Sequence, residues 1–317
     1  MKRLPPAWFL FLFAPLTVEY VSGSSPNLNP ILLLANLLLY GIGTLLIREL
    51  RVRWSKGWLS VFVLAAAYMV AEEGLMLNTL FDPHNNTTGR ALGVNWVWTA
   101  GMLEAHSLFS IFMPILLAEA IYDQHANASW IKPRTCWILL AAFLANVFGL
   151  GHLIAPLNRP GAIYYLLELA FIALCLALAR FAPTPRSATA TPERSPIRLY
   201  VTTLAGIAVT MLISFAAPTL AIPAAAKIAV MLLFYLAFLG LLRRNGTFRA
   251  GLNPLSKFAV ASGMISFWII LSPLASIAKH NLGPASFGAL TVFLLFRMLQ
   301  RLKANLPVPT ATGPQAV

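Results

Sequence analysis

Apolar residues run through this chain in long stretches, separated by short polar segments rich in Pro, Asn, Gly, Lys and Arg. A helix needs about 20 apolar residues to cross the roughly 30 Å hydrocarbon layer of a bilayer. Ten stretches approach or meet that length: 7–22, 30–49, 57–80, 94–122, 135–157, 161–181, 199–217, 222–242, 256–276 and 283–301. The pattern predicts an all-α fold, a polytopic transmembrane helical bundle of about ten spans. The first run is short, and the tenth turns amphipathic toward Arg297, Arg301 and Lys303.

The basic residues test that count. Taking the loops alternately from the N-terminus, one side holds nineteen of the 23 Lys and Arg, including Arg48, Arg51, Arg53, Lys56, Arg243, Arg244 and Arg249. The other side holds Arg90, Arg159, Lys227 and Lys279. A missed or invented span would scramble this alternation. The excess of basic charge marks the cytoplasmic side, so the expectation is a multi-pass protein of the cytoplasmic (inner) membrane with both termini cytoplasmic.

Composition agrees. Hydrophobic residues make up 59 % of the 317 and charged residues 10 %, where a soluble domain carries about a quarter charged. The net charge of +13 is therefore read as topology and not as a footprint for nucleic acid, which is not an expected partner. The expected partner is the lipid bilayer. Arg243, Arg244 and Arg249 can meet anionic headgroups, although plain positive-inside topology is the simpler reading. Cys136 and Cys175 both fall in apolar runs and form neither a disulfide framework nor a zinc spacing. The N-terminal run resembles a secretory signal, with Lys2 and Arg3 ahead of it, but it lacks a small-residue cleavage site and Glu19 interrupts its far end. It is read as a retained first span, with cleavage the alternative.

Segment 182–198, rich in Pro, Thr, Ser and Arg, reads as a cytoplasmic linker. It divides the chain into an N-terminal six-span half (1–181) and a C-terminal four-span half (199–303), followed by a disordered tail (304–317). No acidic residue follows the linker, and spans seven to ten read as a packing scaffold.

The candidate chemistry lies in the first half. Glu72 and Glu73 sit side by side in an otherwise apolar run, and an ionisable residue at such depth costs roughly 2.5–3.5 kcal/mol on insertion scales. Spans four to six add Glu104, His106, His152 and Glu168, all placed by the topology in one outer layer. On a regular helix Glu72 and Glu73 diverge by about 100°, so one of the two is expected to face the centre. Glu104 and His106 point nearly opposite ways, with His106 the inward one. Tyr164 and Tyr165 lie one turn from Glu168, where a phenol could bond its carboxylate. Ala141, Ala145 and Gly149 form a small-residue stripe suited to close helix contact. Glu19, Glu119 and Asp123 sit at span ends and read as solvated, Glu49 as a loop ion pair, and Trp96 and Trp98 as interfacial anchors.

Carboxylates and imidazoles in one buried layer can activate water, the acid as general base and the imidazole as a stabiliser of the oxyanion. Glu72, Glu73, His106 and His152 are the candidate catalytic residues, and Glu104, Glu168, Tyr165 and Asn146 the supporting ones. No cofactor is required by the pattern. A divalent metal is compatible with these Glu and His side chains, though no H-E-x-x-H spacing occurs. The same layer could instead relay protons or bind a cation in a carrier, and a non-catalytic membrane scaffold is the third class.

Two resemblances bear on this. Glu72-Glu73, His106 on the next span and Phe148-Gly-Leu-Gly-His152 together resemble the CPBP family of CAAX-type glutamic intramembrane proteases. That likeness implies a glutamate-activated water with His106 and His152 as oxyanion donors. Leu77 stands where that family's first motif carries arginine, Met102 where its second carries phenylalanine, and Pro156 where its third carries Asn or Asp. A closer resemblance, to a group of uncharacterised prokaryotic membrane proteins, is carried by Glu19-Tyr-Val-Ser-Gly-Ser-Ser-Pro26, Ile47-Arg-Glu-Leu50, Glu72-Glu-Gly74, Phe81-Asp-Pro83, Gly93-Val-Asn-Trp-Val-Trp98 and His106. It implies no mechanism.

Overall fold

The computed structural model describes residues 4–25, 27–83, 89–154, 160–184, 194–249 and 251–304; the side chains of His152 and Ile154 fall outside the description. Ten helices follow the ten apolar runs. They are α1 (Pro6–Tyr20), α2 (Pro30–Arg53), α3 (Trp58–Met76), α4 (Trp96–Ile121), α5 (Pro133–Leu150, continued by Gly151–Ile154), α6 (Ala162–Phe181), α7 (Pro196–Thr219), α8 (Ala224–Arg244), α9 (Pro254–Ala278) and α10 (Gly283–Ala304). Among the described residues α2 to α10 are long and apolar enough to cross a membrane, while α1 is apolar but shorter. The fold is an all-α polytopic bundle. Most of the linker and nearly all of the tail lie outside the described residues.

Local chemistry sets the helix starts. Asn29 accepts from the backbone N–H of Ile31 at 2.9 Å, with Pro30 behind it, and Asn253 accepts from Ser256 N–H at 2.7 Å ahead of Pro254. Asn side chains satisfy amides that have no partner within the helix, and proline at the first position loses nothing by lacking an N–H. A short hairpin, β1 (Arg90–Ala91) with β2 (Val94–Asn95), turns through Leu92 and Gly93 at φ 52° and 76°. It hands the chain to α4 through Asn95, which caps Trp98 N–H at 3.1 Å.

Helix α4 is the axis of the bundle. Every residue from His106 to Ala120 is buried, as expected of a helix apolar on all sides, and it packs against α1, α2, α3, α8 and α9. The C-terminal helices thus close around the same axis as the N-terminal ones. The outer faces of α6, α7, α8 and α10 expose Leu166, Phe171, Leu212, Leu233 and Phe293, an apolar surface suited to lipid.

Prolines inside the helices leave carbonyls unpaired, because each removes the N–H that its fourth predecessor would have received. In lipid such groups need a substitute partner. Pro114 strands the carbonyl of Ser110, which accepts from Thr44 Oγ1 at 2.8 Å. Pro273 strands that of Ile269, which accepts from Ser272 Oγ at 2.9 Å. Pro15 strands that of Phe11, which lies against Gly41; a Cβ there would stand 2.4 Å from the Phe11 oxygen. Because the obstacle is backbone, Gly41→Ala is expected to cost about 1–3 kcal/mol. Gly240→Ala, where nothing lies within 4 Å, is expected to be neutral or slightly stabilising, being alanine for glycine in a helix. Thermal unfolding in detergent separates the two.

The helices alternate in direction. At one end Tyr122 donates to the Leu4 carbonyl at 2.6 Å, Lys56 to that of Ala182 at 2.6 Å, and Lys257 pairs with Asp123 at 2.5 Å. At the other end the Tyr20 ring meets Phe287, 4.9 Å between centroids. The first end also holds a buried ionic cluster where the sequence suggests only a loop pair. Arg48 is fully buried, 2.8 Å from Glu49 and 3.5 Å from Glu119, and donates to the carbonyls of His125, Ala126 and Ala128. Trp130 covers its guanidinium at 3.7 Å, and Arg51 reaches Glu119 at 2.5 Å. Glu49 and Glu119 are therefore neither loop-borne nor solvated. Helix α2 extends past them to Arg53, and segment 122–131 folds over the cluster.

Helix α5 also departs from expectation. Ala141, Ala145 and Gly149 face outward, and a Cβ on Gly149 would meet nothing within 4 Å. The buried positions are Phe143, Asn146, Val147 and Gly151, so a different face makes the contact, with Gly151 the one small residue in it.

Candidate functional site

Each of the first five helices widens at one place into a π turn. The backbone bonds then span five residues: Val21 N–H to Leu16 O, Ile42 to Leu37, Leu77 to Glu72, Met113 to Leu108 and Gly151 to Asn146. The widened segments are Leu16–Tyr20, Leu37–Gly41, Val70–Met76, His106–Phe112 and Asn146–Leu150. They carry Glu19, Tyr40, Glu72 with Glu73, His106 with Ser110, and Asn146. Wide turns of this kind recur at functional sites because they re-aim side chains.

Four of these turns converge on one cavity of about 670 Å³. On its wall His106 lies between two carboxylates, Nε2 3.0 Å from Glu73 Oε1 and Nδ1 3.3 Å from Glu72 Oε2. Nδ1 also lies 3.0 Å from Ser110 Oγ. Both adjacent glutamates therefore meet one imidazole, where a regular helix would have turned one of them away. The Tyr40 hydroxyl sits between Glu72 Oε1 and Glu19 Oε1, and Ser25 donates to Glu19 Oε2 at 2.7 Å. Thr79 and the Trp98 indole N–H both donate to Glu73 Oε2. An unbroken run of polar contacts thus joins Ser25, Glu19, Tyr40, Glu72, His106 and Glu73 across four helices.

The rest of the wall is largely apolar, with Met102 and Phe109 from α4, Met211 and Phe215 from α7, Met231 from α8 and Trp268 from α9, and with Ser22, Ser24 and Ser214 among them. Among the described residues no Lys or Arg lines it, in a chain that carries 23. A cavity with acids at one end and no fixed positive charge favours cationic or neutral occupants over anionic ones. Its size and mixed lining are those of a small-molecule site.

A sequence model of an uncharacterized membrane protein family matches residues 9–306. The chain belongs to that family. No curated protein and no solved structure matches it, and the likeness to the CPBP proteases has no counterpart in these comparisons.

In this member of the family the other candidate residues lie apart from the cavity wall. Glu104, fully buried, turns toward α7 and accepts from Ser214. Asn146 donates to the Ala35 carbonyl at 3.1 Å and ties α5 to α2. Glu168 is buried against Gly74, with neither carboxyl oxygen hydrogen-bonded. A Cβ on Gly74 would stand 1.9 Å from Glu168 Oε1, so glycine at 74 makes that approach possible. Tyr165 donates to Asn78 Oδ1 at 3.0 Å and makes no bond to Glu168. The His152 side chain lies outside the described residues.

The sequence reads Glu19 as solvated and Trp98 as an interfacial anchor, and nothing in it singles out Tyr40; the structure bonds all three into the site. Glu19 interrupts an apolar run just as Glu72 does, and the same argument about buried charge would have found it. Trp98 is both partly exposed and bonded to Glu73, and nothing in its position along the chain distinguishes it from an interfacial anchor.

Proposed function

We propose that the cavity is a hydrolytic site within the membrane, with Glu72 as the base that activates water and Glu73 as the group that orients His106. The observation that supports it is the meeting of two carboxylates and one imidazole on the wall of a cavity large enough for a substrate. Glu72 Oε2 faces that meeting without a hydrogen bond of its own, while Tyr40 holds Oε1. In the proposed step Glu72 takes a proton from water as the water oxygen attacks a substrate carbonyl carbon. The proton then passes to the departing group as its bond to that carbon breaks. Both His106 nitrogens face carboxylates, which leaves neither free to steady the oxyanion and calls for another electrophile.

The test works without a named substrate. The full chain, reconstituted with membrane peptides or lipids in water enriched in oxygen-18, is expected to yield products carrying the heavy isotope by mass spectrometry. Label no greater than in protein-free vesicles would sink the hydrolytic reading.

A proton- or cation-coupled carrier is the second reading. It is supported by the polar run through Glu19 and Tyr40, which links titratable groups on four helices, and by the lack of basic lining residues. Cation uptake into vesicles driven by a pH difference is its expected signature. The uneven spread of Lys and Arg supports an orientation in the cytoplasmic membrane with both termini in the cytoplasm. The basic loops at that end would then meet anionic headgroups.

A further inference from the structure

We infer that Glu72, Glu73 and His106 form a binding site for a divalent transition-metal ion, zinc being the ion whose chemistry fits best. One atom from each of the three lies within 4.8 Å of the other two. Ligands held at about 2.0–2.2 Å from zinc require only a modest closing of that triangle. Three protein ligands of imidazole and carboxylate type, with a position left over, are the arrangement of catalytic zinc.

The surroundings are built as a metal site is built. Each carboxylate offers one oxygen toward His106 while its other oxygen is held from behind, and such outer contacts fix ligand orientation. Tyr40 holds Glu72 Oε1 and Thr79 and Trp98 hold Glu73 Oε2; on the ring, Nδ1 lies 3.0 Å from Ser110 and 3.3 Å from Glu72 Oε2, and Nε2 3.0 Å from Glu73 Oε1, so one nitrogen would exchange its carboxylate contact for the ion. The inward oxygen Glu72 Oε2 points independently to a ligand. It is buried, Glu72 being 1 % exposed, and it lies 3.3 Å from His106 Nδ1 without making a hydrogen bond. A buried carboxylate oxygen left in that state is costly, and a cation would relieve it. Metal uptake would displace the proton shared between the imidazole and its carboxylates. In catalysis the site rests on the hydrolytic reading above, with the ion polarising water in place of an uncoordinated Glu72 base; as a binding site it stands on its own geometry.

The test uses the untagged full chain in detergent, stripped with a chelator and titrated with zinc, or with cobalt as a spectroscopic probe. One equivalent of tightly bound metal is expected for the wild type by elemental analysis. Tyr40→Phe is expected to weaken binding roughly 10–100-fold, as loss of an outer partner does, and Glu73→Gln and His106→Ala by more. His106→Cys is expected to keep cobalt and to add a sulfur-to-cobalt charge-transfer band in the near ultraviolet. A merely structural imidazole would give no such band, and this variant decides the matter if the other two fail to fold. No stoichiometric metal in the wild type, undiminished binding in Glu73→Gln and His106→Ala, or no new band in His106→Cys would each overturn the site. Metal bound without any hydrolysis would remove the catalytic reading alone, and hydrolysis persisting after chelation would remove the metal's part in hydrolysis alone.

Discussion

Arg48→Ala is expected to lower the stability of the folded protein by about 3–5 kcal/mol, the usual cost of removing one partner from a buried ion pair. The arginine is fully buried and satisfies three backbone carbonyls as well as facing Glu49 and Glu119. Its removal leaves carboxylates away from water with Arg51 and Arg53 as their only remaining cations in the cluster. It also frees segment 122–131, which the guanidinium pins to α2. Arg53→Ala makes the comparison. Arg53 is 26 % exposed and pairs with Glu49 at 3.2 Å, and partly solvated pairs contribute about 1 kcal/mol or less. Denaturation in detergent followed by circular dichroism should place the two variants several-fold apart. Equal losses would mean that the cluster is hydrated and that Arg48 has no special standing.

The second large effect is on activity. With hydrolysis detected by isotope incorporation, Glu72→Gln is expected to reduce the rate by about 10²–10⁴-fold, the range for loss of a general base. Glutamine keeps the shape and can still accept from Tyr40, so the fold should survive. Glu104→Gln is the control. That residue lies one helix further along and is equally buried; it accepts from Ser214 on α7, whose side chain is on the cavity wall, but does not itself line the cavity. Its replacement is expected to leave the rate within about twofold, since glutamine can accept the same hydroxyl. If both substitutions abolish hydrolysis alike, buried acidity matters generally and the assignment to the cavity fails. If neither does, Glu72 is not the base.

Helix number and helix position were readable from the sequence because hydrocarbon thickness imposes a length on each span, and the ten runs match the ten helices to within a few residues. The alternation of basic residues is a separate signal, which predicts orientation through charge and not through length. Which side chains meet was less readable. Reasoning at 100° per residue separates Glu72 from Glu73, whereas the wide turn over Val70–Met76 and the two-sided imidazole bring both into contact. Tyr40 offers no sign in the sequence that it bridges two acids on other helices, because that depends on tertiary packing alone. Glu119 reads as solvated and Glu49 as a loop ion pair because span ends usually meet water; the fold of segment 122–131 over them is a long-range event. The small-residue stripe on α5 was a sound local inference, but a different face of that helix makes the contact.

The widened turns also bear on how such a chain can change length. A helix that carries one surplus residue per turn is what an insertion leaves behind, and removing any single residue from 106–112 would let the segment relax to ordinary geometry. The helix beyond the cut would keep its phase, because the wide turn holds its surplus residue locally, while side chains inside the stretch would be re-aimed by up to about 100°. Thr44 would lose the Ser110 carbonyl, and His106 would no longer share a wall with Trp268. Sequences aligned to this one that keep the acids and the imidazole should therefore show no gap in the five broadened stretches, and a one-residue gap there should go with loss of those side chains.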